Sequence, residues 1–386
     1  MKILVINPGS TSTKIAIYVD GKPSWTGGAH HPIEEVSRFH QTIDQYEYRK
    51  NFILKKLKEE NIPLDFDAVI GRGGLLAPLK GGVYAVNEKM KQDLLNAKHD
   101  HVCNLGAIIA DEIAKECGCP AYIADPVVVD ELQMKARISG IPGLKRESIF
   151  HALNQKAVAR RYAKSIGKKY EDLNLVVAHL GGGISVGAHR KGMVIDVNNA
   201  LNGEGPMSPE RAGTVPSEAL AELCFSGKYT LREIKKLIHG GGGLVAYLGI
   251  SDMVTIDSKA EAGEEPYKTL VAAMNYTVAK QIGAMFVSLM GKCDAIILTG
   301  GIAYSEYCVS DIRTQVEFLA PVVVIPGENE MESLAMNALG ALKGELPLLT
   351  YTGVSCEEKL ALLADNEKWA KINRRFAHCK PTVSDV

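Results

Sequence analysis

Short runs of apolar, often β-branched residues alternate along this chain with longer segments in which apolar residues recur at helical spacing. The first two runs are Ile3–Ile6 and Lys14–Val19, and the Pro8–Thr13 stretch between them is polar. Asp20-Gly21, directly after the second run, is a typical turn pair of a β-hairpin. The pattern therefore predicts two strands joined by a tight polar loop, followed by a turn into a third strand.

The remainder of the first half continues this alternation of strands and helices. Strands are predicted at 68–70 and 121–124, and helices at 34–60, 88–98, 104–117 and 152–166. The strand at 68–70 ends in Gly71-Arg72-Gly73-Gly74, and the strand at 121–124 ends at Asp125-Pro126. Polar residues at strand ends are candidates for a site, because loops at the edge of a sheet commonly carry function.

The order of elements restarts near residue 175, which indicates a weak internal duplication. Strands are predicted at 175–178, 184–188, 193–196, 295–298 and 322–325, and helices at 216–226, 230–238, 264–290 and 330–343. Alternating strands and helices in both halves predict an α/β fold with two domains. The predicted division is 1–155 plus about 336–356 for the first domain, 156–335 for the second, and a C-terminal helical tail at 357–386.

Composition excludes several classes of protein. The 386 residues are 46% hydrophobic with a net charge of −1, so two domains can each bury a core, and no basic stripe indicates nucleic-acid binding. No apolar run reaches the length of about 18 residues that a membrane span requires. No signal-peptide pattern is present, and the eight cysteines follow no disulfide or zinc spacing. We expect a cytoplasmic protein with reduced thiols and no membrane or nucleic-acid partner.

Two loops have the composition of phosphate-binding loops. Asn7–Lys14 combines glycine, hydroxyl side chains and a lysine, which can bring backbone N–H groups, O–H donors and charge to a phosphate. An ordinary Ser/Thr-rich hairpin turn is the alternative for this octet alone. His179–Ser185 has the same character at the equivalent place in the second half, and the match favours phosphate binding.

Other nucleotide signatures are weaker or absent. Thr299–Ala303 follows a strand and could seat a nucleoside, although plain strand-to-helix packing explains it equally well. Gly240–Gly243 follows a helix and fits a flexible helix end. Neither a P-loop sequence nor a Gly-x-Gly-x-x-Gly at a helix start near the N-terminus occurs, which disfavours both of those folds.

Several motifs in a specific order carry a resemblance to a known family. They are Ile6–Lys14, Gly71–Leu75, Asp125–Glu131, Ile149–Gln155, Ala178–Ser185, Gly203–Gly213 and Leu298–Ile302. Over about residues 1–350 the chain resembles the acetate and butyrate kinase family. The resemblance implies the duplicated, actin-like (ribonuclease H-like) fold with ATP in the cleft between two domains, Mg²⁺ dependence, and a homodimer or higher homo-oligomer.

The resemblance also implies roles for individual residues. Arg72 and Arg211 are expected to face the carboxylate and the phosphoryl group, and Asp125 and His151 to flank the reaction centre. The candidates for lining the substrate beside Arg72 are Val127, Val128, Val129, Pro206 and Met207, although core packing explains the three valines equally well. The remaining implied positions contact ATP or the metal: Asn7, Ser10, Ser12, Lys14, His179, Gly181, Gly182, Gly183, Asp252, Met253, Gly300, Gly301, Ile302, Ser305 and Glu332.

The metal-linked carboxylate has two candidates, because the spacing around Glu328–Glu332 departs by about two residues from the acetate kinase pattern. Glu332 is preferred because Leu334-Ala335 keeps the pattern after it, and Glu330 is the alternative. Asn7 is the second implied metal neighbour. Each site residue also has a structural alternative: Arg72 and Arg211 could form ion pairs, Asp125 could cap a turn, and His151 could be a core histidine.

The predicted reaction is reversible phosphoryl transfer between ATP and butyrate, or a branched short-chain acid, giving an acyl phosphate and ADP. A carboxylate is ionised at neutral pH, so it needs no general base, and Asp125 is better suited to orienting Mg²⁺ or its waters. Arginine suits the approach of two anions because its planar fork pairs with oxygens and stays charged. The alternatives are a propionate or acetate kinase, a sugar or polyol kinase, and a chaperone-like or filament-forming ATPase.

Overall fold

A computed structural model describes residues 1–97 and 101–354 of the chain. The strands are β1 Lys2–Pro8, β2 Ser12–Val19, β3 Lys22–His30, β4 Ala68–Arg72, β5 Val83–Ala85, β6 Ala121–Ala124, β7 Asn174–Leu180, β8 Ile184–Arg190, β9 Met193–Val197, β10 Ala295–Thr299, β11 Val322–Val324 and β12 Leu348–Thr350. The α-helices are α1 Ile33–Val36, α2 Tyr46–Glu59, α3 Glu88–Leu95, α4 Leu105–Cys117, α5 Met134–Arg137, α6 Ala152–Ser165, α7 Ser217–Cys224, α8 Leu231–Ile238, α9 Leu244–Leu248, α10 Met253–Glu261, α11 Tyr267–Ser288, α12 Glu306–Val316 and α13 Glu330–Leu342. Short 3₁₀ helices lie at Thr42–Gln45, Val102–Asn104, Tyr170–Asp172 and Gly301–Tyr304.

Two mixed sheets share one core topology, which is the structural form of the predicted duplication. The first sheet has seven strands in the order β12-β5-β6-β4-β1-β2-β3, and the second has five in the order β11-β10-β7-β8-β9. In each, three antiparallel strands are followed by two parallel ones, so β1-β2-β3-β4-β6 corresponds to β7-β8-β9-β10-β11. The prediction of an α/β fold with two duplicated domains is confirmed.

The apolar sequence of strand β1 is explained by its burial on both faces. Ile3 and Val5 pack against α13 on one face, while Leu4 and Ile6 pack against α2 and α4 on the other, and all four are fully buried. A strand covered by helices on both faces loses the polar alternation of a half-exposed strand. The tight loop after β1 is thereby held at the edge of a rigid, buried strand.

The contact between β4 and α4 depends on two glycines. A Cβ on Gly71 would lie 2.1 Å from the carbonyl oxygen of Gly106, and a Cβ on Gly106 would lie 2.2 Å from that of Arg72. Any side chain at either position would force the helix away from the strand. This close approach fixes the end of β4, where Arg72 lies.

The last described helix returns to the first sheet. α13 packs on β1, β4 and β6, and β12 then adds to β5 at the sheet edge. The crossing begins at Glu330, a few residues before the predicted division at about 336. The predicted tail at 357–386 lies outside the described residues.

Some predicted elements have different bounds in the structure. The predicted helix at 34–60 is divided into α1, a 3₁₀ turn and α2, and the predicted helix at 264–290 is α11, Tyr267–Ser288. The strands β5 and β12 and the helix α10 were not predicted, because runs of three to nine residues carry too little periodicity. Among the described residues, every helix is too short or too polar to span a lipid bilayer.

Candidate active site

A cavity of about 220 Å³ lies between the ends of strands from both sheets. Its polar lining combines cationic, anionic, imidazole and amide groups, which are Arg72, His101, Asp125, His151, Asn154, His179, Arg211 and Glu330. Its apolar lining includes Leu75, Cys103, Val127, Ile149, Phe150 and Leu201. Several predicted site residues, far apart in sequence, are therefore brought to one cavity with a charged end and an apolar wall.

Glu330, the first residue of α13, joins the phosphate loop of the first sheet to Arg72. Its Oε2 accepts a hydrogen bond from Nδ2 of Asn7 at 2.7 Å, and the Arg72 guanidinium donates to the same carboxylate at 2.9 Å. This contact makes Glu330, the alternative to the preferred Glu332, the carboxylate that lies beside Asn7. Glu332 is exposed two residues further along, and its charge acts, after burial, to raise the pKa of Tyr18.

The ring of His151 is oriented by hydrogen bonds on its inner side. Nδ1 lies 2.8 Å from the hydroxyl oxygen of Ser185, and that oxygen accepts from Nε2 of Gln155 at 2.8 Å. The serine oxygen accepts from this amide and, at 3.4 Å, from the backbone N–H of His151, so both of its acceptor positions are used and its own O–H is the donor to Nδ1. The proton of the neutral ring then belongs on Nε2, on the side of the cavity.

The same chain continues into the core and fixes the orientation of Gln155. Tyr170 lies 2.7 Å from Nδ1 of His189, and Nε2 of His189 lies 2.9 Å from Oε1 of Gln155. A neutral His189 that accepts from the tyrosine and donates to the glutamine satisfies every member in one direction. The chain therefore runs from Tyr170 to His151 with a single assignment of protons.

Burial keeps both histidines of this chain uncharged. Burial, followed by the positive charges of its surroundings, holds the pKa of His189 well below its usual value. Burial also holds the pKa of His151 well below its usual value, and His179, Arg211 and Arg72 act in the same direction. His151 is thus a neutral hydrogen-bond donor beside two guanidinium groups.

His179 lies directly on His151, at the end of β7. The two rings stack with centroids 3.8 Å apart, and Nδ1 of His179 lies 2.8 Å from the side-chain oxygen of Asn154. Its Nε2 is buried and 3.3 Å from a carboxylate oxygen of Glu328, but has no hydrogen-bond partner among the described residues. His179 holds the pKa of Glu328 below its usual value, with smaller effects of Arg72 and Lys14.

The glycine loop of the second sheet makes room for Arg211. A Cβ on Gly183 would lie 1.8 Å from Nη1 of Arg211, so only glycine leaves space for the guanidinium at this point. Nη1 donates to the carbonyl of Ala200, which fixes the side chain at the cavity. Gly181 and Gly182 are packed less tightly. A Cβ added to Gly181 would lie 3.3 Å from His179, and one added to Gly182 would lie 3.3 Å from Glu210.

Asp125 has a structural partner that the sequence did not indicate. Its carboxylate, fully buried, accepts from Arg160 of α6 at 2.8 Å and from the backbone N–H of Gly82 at 2.8 Å. The residue also has a positive φ of 39°, a strained conformation for a residue other than glycine. Asp125 lines the cavity, but these contacts also make it a link between β6 and α6.

The apolar wall differs in part from the predicted substrate pocket. Val127 lines the cavity, whereas Val128 packs in the core of the first domain and Pro206 is not among the lining residues. Burial raises the pKa of the Cys103 thiol to about 11, so this wall residue stays uncharged.

The remaining predicted ATP-contacting residues fall into three groups. Ser10, Ser12 and Lys14 lie on the loop and strand that follow Asn7, with Ser10 and Lys14 exposed. Gly300, Gly301, Ile302 and Ser305 form the turn after β10, where Gly300 pairs with Gly327, and Ser305 caps α12. Asp252 caps α10 by accepting a hydrogen bond from the backbone N–H of Thr255, and Met253 packs on the hydrophobic core of the second domain. These residues lie outside the cavity lining.

Sequence reasoning missed the supporting residues of the site. Ser185 and Asn154 lie within two of the motifs quoted above, so their positions were visible, but their bonds to His151 and His179 were not. Arg160 carries no local signal, because it is one charged residue among several on α6. Glu328 lay within the segment Glu328–Glu332 that was considered for the metal, but its contact with His179 was not predicted. Only tertiary structure brings them to their partners.

Residues 142–334 match the Acetokinase family. The chain is 70% identical over 351 residues, 91% of its own length and 99% of the relative's, to a probable butyrate kinase of Phocaeicola vulgatus. It is 54% identical over 346 residues, 89% of its length and 98% of the relative's, to butyrate kinase 1 of Clostridium acetobutylicum.

The solved structure of an acetate kinase from Porphyromonas gingivalis superposes with a TM-score of 0.72 at 20% identity, covering 88% of this chain and 99% of that one. This likeness confirms the predicted actin-like fold class. The family match and the two relatives confirm the predicted resemblance. This chain belongs to the Acetokinase family.

Proposed function

We propose that this chain is a short-chain carboxylate kinase that reversibly transfers a phosphoryl group between ATP and butyrate, or a branched acid of similar size. The observation that carries the proposal is the cavity itself, in which Arg72, Arg211 and neutral His151 lie at the end of an apolar wall. The high identity to two relatives named as butyrate kinases supports the same assignment.

The proposed reaction needs no general base. A short-chain acid is ionised at neutral pH, so one carboxylate oxygen can attack the γ-phosphorus directly. The bond from that phosphorus to the oxygen shared with the β-phosphate breaks, and ADP leaves with the electron pair. The protein's task is to bring two anions together and to neutralise charge on the transferring group.

Each polar group of the cavity has a role in this scheme. The guanidinium of Arg211, held at the Gly183 position, pairs with the equatorial oxygens of the transferring phosphoryl group. The Nε2–H of His151 donates to the same oxygens. Because the ring is neutral, it adds a hydrogen-bond donor but no positive charge. Arg72, held by Glu330, faces the carboxylate of the acid, and the apolar wall receives its alkyl chain.

The apolar wall explains a preference for butyrate only in part. Each buried CH₂ group contributes about 0.8 kcal/mol, so two further methylenes distinguish butyrate from acetate by about tenfold or slightly more. Leu75, Ile149 and Leu201 offer such burial. The chain length of the best substrate is therefore the quantity to measure.

We propose that Mg²⁺ is held with ATP by Asn7 and Glu330. Asn7 uses its N–H₂ group on Glu330, which leaves its side-chain oxygen for a ligand or a metal-bound water. The described residues contain no cluster of three or more His, Cys, Asp or Glu side chains suited to a metal. Such a donor set fits a cation bound mainly through phosphate oxygens and water, as Mg²⁺ commonly is. When bound, Mg²⁺ would neutralise charge on the phosphates.

We further propose that the enzyme works in the cytoplasm as a homodimer or higher homo-oligomer. Phe225, Leu231 and Tyr247 are 92%, 70% and 70% exposed on and around α7 to α9. Apolar surface of this kind is typical of subunit contacts.

A substrate panel tests the proposal. The purified enzyme is incubated with ATP, Mg²⁺ and acetate, propionate, butyrate, isobutyrate or valerate, and the acyl phosphate is trapped as its hydroxamate. We expect the highest kcat/KM with a four-carbon acid. The Arg211→Ala protein, prepared identically, is the control for contaminating kinases.

Two results would contradict the proposal. Highest kcat/KM with acetate or propionate would replace butyrate by the shorter acid. ATP hydrolysis or phosphorylation of a sugar, with no hydroxamate from any acid, would reject carboxylate kinase activity altogether.

A further inference from the structure

Arg49 is a fully buried arginine that lies directly beneath the phosphate loop Asn7–Lys14. It projects from the first turn of α2, and its side chain is inaccessible to solvent. Its guanidinium donates to the backbone carbonyls of Gly9 at 2.8 Å, Ser10 at 2.9 Å and Ser12 at 3.0 Å. Residues distant by about 40 positions in sequence are thus joined by one side chain.

The charge of Arg49 has no anionic partner. The other acceptors are Oε1 of Gln45, at 2.8 Å and 3.1 Å, and the hydroxyl of Thr13 at 3.2 Å. Among the described residues no carboxylate forms an ion pair with Arg49, and burial lowers the pKa of its guanidinium. A buried charge that meets only neutral acceptors is costly, and a nearby anion would offset that cost.

The charge of Arg49 also affects the pKa of a neighbouring histidine. His31 is fully buried, and its Nε2 lies 2.9 Å from the Thr13 hydroxyl that Arg49 also contacts. Burial, and next the charge of Arg49, lower the pKa of His31 to about 4. The nearby carboxylate of Glu35 is engaged by the hydroxyl of Tyr48. The region beneath the loop is therefore positive on balance, because Glu35, whose charge acts on His31 in the opposite direction to that of Arg49, forms no ion pair with Arg49 within the described residues.

The hydrogen bonds of Arg49 also set the direction of the loop. They hold the carbonyls of Gly9, Ser10 and Ser12 toward the core. Within the described residues, the backbone N–H groups of Ser10 and Thr11 donate no hydrogen bond. A loop whose carbonyls point inward and whose N–H groups are unpaired is suited to cradle an anion.

We propose that Arg49 is the positioning residue of this loop, and that a phosphate group of the nucleotide bound on the loop balances its buried charge. The inference rests on the proposed function, because that function supplies the nucleotide. Arg49 touches neither substrate nor metal. It acts through the loop carbonyls and through its charge.

The sharpest test adds the missing carboxylate. Gln45→Glu keeps the shape of the side chain that already accepts two hydrogen bonds from Arg49, and supplies the charge. We expect the ligand-free variant to melt at a higher temperature than the wild type, because the buried charge gains a partner. We expect its affinity for ADP and for tripolyphosphate to fall about five- to tenfold, while its affinity for adenosine is unchanged.

A second pair of variants separates charge from general packing. Arg49→Gln should weaken ADP relative to adenosine more than Arg49→Lys, which keeps the charge but loses the fork of donors. Arg137→Gln is the matched control, because Arg137 is also buried but forms an ion pair with Asp130 away from the loop. That control should lower the melting temperature and leave the ratio of ADP to adenosine affinity unchanged.

Calorimetric titration with ADP, tripolyphosphate and adenosine decides the matter. If Gln45→Glu folds and binds ADP as tightly as the wild type, or loses adenosine to the same degree, the inference is overturned and the proposed function stands. If the wild type itself binds no ADP, the proposed function fails. Should the Arg49 variants not fold, the opposite shifts of stability and affinity in Gln45→Glu still decide.

Discussion

At the scale of single residues, the site combines cations that attract phosphate with an imidazole that cannot add to their charge. Arg211 and His151 meet at one cavity, and the arginine is one cause of the low pKa of the histidine. The two side chains are therefore complementary. The arginine neutralises charge, and the histidine contributes a directed N–H.

We predict that Arg211→Ala lowers kcat by about 10³ or more, because an arginine that neutralises a transferring phosphoryl group contributes on that scale. The thermal melt should stay close to that of the wild type, since the one hydrogen bond of the Arg211 side chain within the described residues goes to the carbonyl of Ala200. Steady-state kinetics with butyrate and ATP measure the effect. Arg232→Ala, at an exposed position on α8, is the control. Near-normal turnover of folded Arg211→Ala would remove this residue from the reaction.

We predict that Ser185→Ala lowers kcat about tenfold, a part of the loss expected when a positioned donor is removed outright. Without the serine O–H, the ring of His151 is no longer held with its proton on Nε2. The KM for ATP should change little, because the change affects hydrogen-bond direction rather than charge. Ring nitrogen chemical shifts measure the tautomer, and a wild-type tautomer pattern in an impaired variant would contradict this explanation.

At the scale of elements, the same design places both loops at strand ends. β1 and β7 are fully buried strands, so the loops that follow them start from rigid positions. Packing at these loops then depends on residue size. At Gly183 the size of the residue directly affects the cavity, because the guanidinium of Arg211 occupies the space that a side chain would need.

We predict that Gly183→Ala lowers kcat by about 10- to 100-fold while the protein remains folded. The added methyl group would displace the end of a flexible arginine side chain rather than backbone, so the cost falls on geometry at the cavity. Gly283→Ala is the control, because a Cβ there meets open space on α11 and should stabilise the helix by about 0.5–1 kcal/mol. Equal activity of both variants would show that Arg211 need not lie where it does.

At the scale of the whole molecule, several histidines are buried in the uncharged form. His31, His151 and His189 are shielded from solvent or nearly so, and burial is the leading cause of their low pKa values. An unfolded chain would bind protons at these positions near pH 6.5. The folded chain does not, so protonation favours unfolding.

We predict that the free energy of unfolding is greatest above pH 6.5 and falls as the pH decreases from 6.5 to 5. Each of these histidines contributes a loss of up to about 1.4 kcal/mol per pH unit in that window. Denaturant titrations at half-unit intervals of pH measure the slope. A free energy of unfolding that does not change between pH 6.5 and 5 would contradict the neutral assignment of these residues.

How much could be read from the chain depended on the range of the interaction. The strands β1, β2, β7 and β8 and the two glycine-rich loops were predicted, because local periodicity and turn residues encode them. The short strands β5 and β12 were missed, since pairing at a sheet edge rather than propensity stabilises them. The contact of Glu330, rather than Glu332, with Asn7 could not be predicted, because a spacing argument does not report which way a helix start faces.

By itself, the sequence determined the duplicated α/β architecture, the position of the two glycine-rich loops after β1 and β7, and most of the charged residues that reach the cavity. Local patterns and quoted motifs suffice for these, because each lies within a few residues of chain. Only tertiary structure decided that Glu330 contacts Asn7 and Arg72, that Ser185 directs His151, and that Arg49 lies under the first loop. These contacts join residues between 34 and 323 positions apart, and their energies depend on burial, which no local pattern records.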